Sequence, residues 1–94
     1  MKIKAIIWLD EIIDKLAKKH NVSQNEVREV LVSQPCFRFV EKGHRKDENV
    51  YAALGKTLGG RHLIIFFVYK KDARALILSA RDMTSTERKR YEER

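Results

Sequence analysis

RHLIIFFVYKKDARALILSARDMTSTERKRYEER, residues 61–94, is the stretch on which the fold turns. Leu63–Val68 is apolar at consecutive positions, so both faces of the strand it forms must be covered. A strand covered on both faces lies inside a sheet rather than at its edge. Lys71-Asp72 makes a polar turn, and Ala73–Arg81 supplies the next strand. That strand finishes on Arg81. Thr84 followed three residues later by Glu87 is a capping box, which opens a polar helix from about Ser85 to the end. An arginine at this strand–helix junction either pairs with Asp82, Glu87 or another helix carboxylate, or faces an anion.

Upstream the pattern changes period twice. CFRFVEK (36–42) and VYAALGKT (50–57) read as two more strands, separated by the polar loop GHRKDEN (43–49). LGG (58–60) turns the chain into residue 61. Before them, Leu9, Ile12, Ile13, Leu16 and Ala17 fall at helical spacing, with Lys15, Lys18 and Lys19 outside. Asp10 and Glu11 at the start of this helix and Lys18, Lys19 and His20 at its end complement the helix dipole. Ser23 and Glu26 form a second capping box, Val27, Val30 and Leu31 give a buried stripe, and Pro35 marks the stop. IKAIIW (3–8) supplies a short first strand. The expected order is β-α-α-β-β-β-β-α, an α+β antiparallel meander sheet with helices packed on it, in one domain over residues 1–94.

The chain has 94 residues, enough for a single core. Twenty Lys and Arg against thirteen Asp and Glu give a net charge of +7, which favours a polyanionic partner: nucleic acid, a membrane surface or an acidic protein. Cys36 is the only cysteine, so no internal disulfide and no CxxC site can form, which fits a reducing cytosol. His20, His44 and His62 lack metal-ligand spacing, so neither a metal nor a cofactor is expected. No apolar run approaches the ~20 residues that span a bilayer. The first one meets Asp10 and Glu11 before a signal peptide is complete. The expectation is a cytoplasmic protein with no membrane partner. Gly55-Lys56-Thr57 imitates the end of a phosphate-binding loop, but Val50 stands where that motif requires glycine, and a hairpin follows instead of a helix. Nucleotide binding is rejected.

Cations gather where three strands end. If the first hairpin centres on Leu58-Gly59, Gly55 lies opposite His62. If the second centres on Lys71-Asp72, His62 lies opposite Arg81. Gly55, His62 and Arg81 then share a face, with Arg61 beside Asp82 and Lys56 at the same end. A slip of one residue in either register exchanges Arg61 for His62 on that face. Either way the end of the sheet is basic, which points Arg81 toward an anion. Tyr91 reads more readily as a packing anchor than as a base-stacking group, and Arg38–Lys46 suits RNA contact or plain solvation equally.

Four motifs run through the chain: Lys19-His20-x-Val22-Ser23, Tyr51-x-x-x-Gly55, Gly60-Arg61-x-Leu63, and Ile77-x-Ser79-Ala80-Arg81-x-Met83-Thr84-x-x-Glu87-Arg88-x-x-Tyr91-Glu92. With them the sequence resembles the BrnT-type toxins of bacterial toxin–antitoxin pairs, small basic ribonucleases of RelE-like fold. Where the family opens with Trp-Asp and a Lys/Asn-rich helix, this chain has Trp8-Leu9-Asp10 and an apolar helix. The resemblance implies a metal-free endoribonuclease, neutralised by a small DNA-binding antitoxin through which the complex reaches operator DNA. It carries the family's arginines onto Arg61 and Arg81 and its histidine onto His20.

Cleavage of RNA without a metal needs a base for the ribose 2′-OH, a cation for the phosphorane and an acid for the leaving 5′-oxygen. Arginine, with a pKa above ~12, cannot be the base, so Arg61 and Arg81 fit the electrostatic role. His62, His20, Tyr51, Tyr91, Lys56 and Glu87 remain open for proton transfer, with histidine favoured by its ordinary pKa. Arg61, Arg81, His62, His20 and Tyr51 are thus the catalytic candidates, and Lys56, Arg38, Lys70 and Tyr91 the RNA contacts. Two other functions fit a basic domain: a non-enzymatic toxin of the same fold that docks on a topoisomerase, and a simple nucleic-acid-binding module.

Overall fold

Strand β4 (His62–Tyr69) is the middle member of a five-stranded sheet, in which Leu63, Ile64, Ile65 and Phe67 are all buried. The computed structural model describes residues 1–94. The chain runs β1 (Ala5–Ile7), α1 (Asp10–Lys15), a π-helical segment (Leu16–His20) that continues α1, and α2 (Gln24–Val32). It then runs β2 (Cys36–Glu41), β3 (Val50–Lys56), β4, β5 (Arg74–Asp82) and α3 (Ser85–Glu92). The strand order across the sheet is β1-β5-β4-β3-β2.

The sheet is mixed, which corrects the expected antiparallel meander. β2 to β5 pair antiparallel, but β1 lies parallel to β5, with Ala5 opposite Arg74 and Ile7 opposite Leu76. The meander leaves β5 with one unpaired edge. Its donors and acceptors are met by a neighbour running either way, so the composition of β1 announces a strand but not its direction.

One face of the sheet is covered by α1 and α2. Leu16, Val22, Val27 and Val30 pack there against Ala53, Leu63, Ile65, Phe67, Ala75, Ile77 and Ala80. Both capping boxes are formed, Ser23 with Glu26 and Thr84 with Glu87. A side chain at Gly55 would place its Cβ 3.1 Å from both Val30 and Ser33, so the glycine lets β3 lie close under α2. The second face carries a smaller cluster of Ala52, Leu54, Ile64 and Tyr91, flanked by Cys36, Phe66 and Met83. Tyr91 is the one buried residue of α3, so this helix covers only the end of the second face that it reaches.

Register differs from expectation at both hairpins. Each has a three-residue loop closed by a left-handed residue, Gly60 (φ 89°) in the first and Ala73 (φ 69°) in the second. Lys56 therefore stands opposite His62, with Gly55 opposite Leu63. In β5 a bulge leaves Leu78 unpaired between Phe66–Ser79 and Phe67–Ile77, and Arg81 comes to stand opposite Ile64. Without that bulge the hairpin register would set Arg81 opposite Leu63, on the helix-covered face.

Candidate active site at the α3 end of the sheet

Directly opposed residues share a face. Lys56 and His62 form one row of the second face, Arg81, Ile64, Leu54 and Cys36 the next, and Ser79, Phe66, Ala52 and Arg38 a third. His62 and Arg81 are thus diagonal neighbours on adjacent strands, about 7–8 Å apart in backbone terms. The helix α3 lies along them.

Arg81 is held by its neighbour helix. Its Nη1 and Nη2 donate to Oε1 and Oε2 of Glu87 at 2.8 and 3.0 Å, and Nη1 also donates to the Asp82 carbonyl at 3.1 Å. Its guanidinium lies 5.6 Å from the centre of the Phe66 ring. Glu87 is at the same time the third residue of the α3 capping box and accepts the Thr84 N–H at 2.8 Å. The hydrogen bond from Arg81 holds the Glu87 carboxyl down at about 2, against the opposing effect of burial. Arg81 keeps its Nε–H and one Nη2–H without a protein acceptor, so two of its five donors are left for an anion.

His62 is 12% exposed and meets the Tyr91 ring edge-on, with centroids 5.8 Å apart. Its Nε2 is 3.6 Å from a Glu92 oxygen. Burial lowers its pKa from the ordinary 6.5, and the charges of Arg88 and Lys56 lower it further, while Glu92 pulls the other way. The imidazole is therefore neutral at neutral pH, with a lone pair available.

Arg61 belongs to the other face. Its Nε and Nη2 donate to the two Asp82 oxygens at 2.7 and 3.0 Å, its Nη1 to Asn21 O at 2.7 Å and to Glu26, and its Nη2 also to His20 O at 2.9 Å. Every donor of the fork is engaged. The His20 and Asn21 carbonyls are the orphan acceptors at the end of the π-helical segment, where Asn21 turns left-handed. Glu26 is the third residue of the α2 capping box. Arg61 thus ties the end of the first helix, the start of α2 and the end of β5 together, and these bonds raise its own pKa. The hydrogen bond from Arg61 is the main cause that lowers the Asp82 carboxyl, and His20 contributes through its charge. His20 accordingly lies by Asp82 and Arg61, not with His62.

The remaining candidates scatter. Tyr51 stands opposite Phe67 on the helix-covered face, in an aromatic group with Phe39, Phe67 and Tyr69. Five residues along β3 separate it from Lys56, roughly 17 Å of strand. Lys70 lies just beyond the far end of β4, paired with Glu48. Arg38 is on the second face but on the edge strand β2. Tyr91 anchors α3, its hydroxyl accepting from Arg94 at 2.9 Å.

Sequence reasoning missed Arg88 and Glu92, which bond each other at 2.9 Å and both act on His62. A signal was present. The Thr84–Glu87 capping box fixes the phase of α3, and once Tyr91 is its anchor, positions 88 and 92 flank it on the same side. No group of three or more His, Cys, Asp or Glu side chains gathers to hold a metal ion, and no helix is long and apolar enough to cross a membrane.

A sequence model of the family described as "Ribonuclease toxin, BrnT, of type II toxin-antitoxin system" matches residues 8–87. No curated protein matches the chain. The matched span runs from Trp8 through both arginine clamps to Glu87, and the chain belongs to the BrnT family of ribonuclease toxins of type II toxin–antitoxin systems.

Proposed function

We propose that the protein is a metal-independent endoribonuclease working on the second face of a RelE-like sheet, in the cytoplasm. The observation that carries this reading is the placement of a neutral His62 diagonally beside Arg81, whose fork is only partly used. A scissile phosphate bridging the two would meet Nε–H and Nη2–H of Arg81. His62 would take the proton of the adjacent ribose 2′-OH, and Glu92 beside it would stabilise the imidazolium so formed. The 2′-oxygen then bonds to phosphorus, and the bond from phosphorus to the 5′-oxygen breaks. Products are a 2′,3′-cyclic phosphate and a 5′-hydroxyl, to which Lys56, opposite His62, would give the proton. Glu87, ionised far below neutral pH, cannot be that acid.

In this reading Arg81 contacts the reacting phosphate, and Arg61 and His20 hold the helices that frame the sheet. Arg38 and Lys56 contact RNA on the same face, whereas Tyr51 packs. The family's protein antitoxin would cover this face and carry the pair to operator DNA.

The test is cleavage of a long single-stranded RNA in EDTA by purified protein free of antitoxin, beside Arg81→Ala. The expected result is cleavage leaving 2′,3′-cyclic phosphate ends, reduced on the order of a hundredfold in the variant. RNA left intact by the native protein, with or without ribosomes, would overturn the reading. Growth arrest with DNA damage would then indicate topoisomerase inhibition, and tight salt-sensitive binding without toxicity a simple nucleic-acid module.

A further inference from the structure

Beyond Phe66 the second face is not covered by α3. It ends in a cleft of about 460 Å³ floored by Val50, Val68 and Leu76, which form one cross-strand row. Lys42, Arg45 and Lys70 rim it. We infer that this cleft is a subsite for an unpaired base of single-stranded RNA, continuous with the Arg81–His62 site. The inference rests on the ribonuclease reading and extends it to how the substrate is held.

Three features support it. The first is position. The floor lies on the same face as Arg81, and four residues of β4 from Ile64 to Val68 span about 13 Å, a distance a short run of nucleotides crosses. Phe66 and Ser79 form the row between, partly exposed, with Arg38 at its end.

The second is chemistry. An apolar floor with cations at its edge suits an aromatic base carried on a phosphate chain. The cleft volume is within the range of small-ligand sites. Two carboxylates also line the cleft, Glu41 and Glu48; Glu48 pairs with Lys70 and lies 4.0 Å from Arg45, so Lys42 is the rim cation without a carboxylate partner.

The third is a built wall. Gly43 packs so closely on the Glu48 carbonyl that no Cβ fits there. Its N–H donates to the Asn49 side chain, Glu48 N–H donates to Arg45 O at 3.2 Å, and Tyr69 N–H donates to Asn49 O at 3.1 Å. The loop at 42–49 is thus held to the end of β4.

The experiment uses uncleavable 2′-O-methyl oligonucleotides, from dinucleotide to octanucleotide, with binding read by fluorescence anisotropy over a salt series. Affinity should rise with length and then level off. In Lys42→Ala/Arg45→Ala the slope of log affinity against log salt should fall by between about 1 and 2. Gly43→Ala, which forces the wall to move, should weaken the longer oligonucleotides about tenfold, and an abasic chain of equal length should bind the native protein about tenfold more weakly than the one with bases. An abasic chain that binds equally well, or an unchanged salt slope in the double variant, would overturn the subsite. So would a surface that ignores the oligonucleotides but takes up a polyglutamate peptide, which would mark a protein-docking patch. Since these probes cannot be cut, the outcome is independent of cleavage. Loss of cleavage alone would strike only the ribonuclease reading.

Discussion

Arg81 and Glu87 form a two-point ion pair, at 2.8 and 3.0 Å, in which the carboxylate also completes the capping box of α3. Arg61 repeats the arrangement with Glu26, the corresponding residue of the α2 capping box, at 3.2 Å. The two arginines differ in what remains. Arg61 has spent all its donors on the fold, while Arg81 keeps two.

The Arg81–Glu87 pair gives stability a dependence on acid. The folded pKa of Glu87, about 2, lies below the usual 4.5, so its contribution is fully present above pH 4.5 and is lost as pH falls toward 2. Glu87→Gln keeps the capping box, since glutamine serves there too. It should lower stability at pH 7 by about 1–2 kcal/mol after screening, and flatten the loss between those pH values. Urea midpoints of both proteins across that range check this. RNA cleavage at neutral pH should persist, because Arg81 loses a competitor for its fork.

Arg61→Ala should behave unlike Arg81→Ala. It strands the Asp82 and Glu26 carboxylates and leaves the His20 and Asn21 carbonyls without their donor, a loss of about 2–4 kcal/mol. Arg81→Ala, which strands a single carboxylate still partnered by the Thr84 N–H, should cost about 1 kcal/mol. Denaturant melts measure the difference. Cleavage normalised to the folded fraction should fall for Arg81→Ala and hold within a few-fold for Arg61→Ala.

His62 sets a pH limb. Burial, assisted by Arg88 and Lys56, depresses its pKa, so the active neutral form is lost only as pH falls below 6.5. Cleavage should therefore decline on the acid side with a midpoint below that value. Arg88→Gln should move the midpoint upward, and His62→Gln should abolish the limb together with most of the rate. A pH–rate profile with no acid limb would remove His62 from the base role.

Ala73 sits at φ 69°, a conformation that costs a residue with a Cβ about 1 kcal/mol. Ala73→Gly should therefore raise the melting temperature with cleavage unchanged, the gain being smaller than that cost because glycine has more freedom to lose on folding. Differential scanning calorimetry reads it directly.

Much of the fold was legible residue by residue. The unbroken apolar run Leu63–Val68 placed β4 at the centre, and both capping boxes marked helix starts where the structure has them. These are local signals, each carried by a few adjacent side chains. The basic end of the sheet was legible as well, because three strands end there in cations whatever their pairing.

Direction and register lay beyond the sequence. β1 is too short to declare its orientation, and the left-handed Ala73 and the bulge at Leu78 together shift β5 by two residues. An even shift keeps His62 and Arg81 on one face, whereas either one alone would have parted them. The same geometry sent Arg61 to the opposite face, where the helix ends consumed its donors. Sequence fixes which residues carry charge and where elements start. Only the packed sheet decides which cations meet a carboxylate and which keep hydrogens for a substrate, because that depends on backbone pairing summed over the chain.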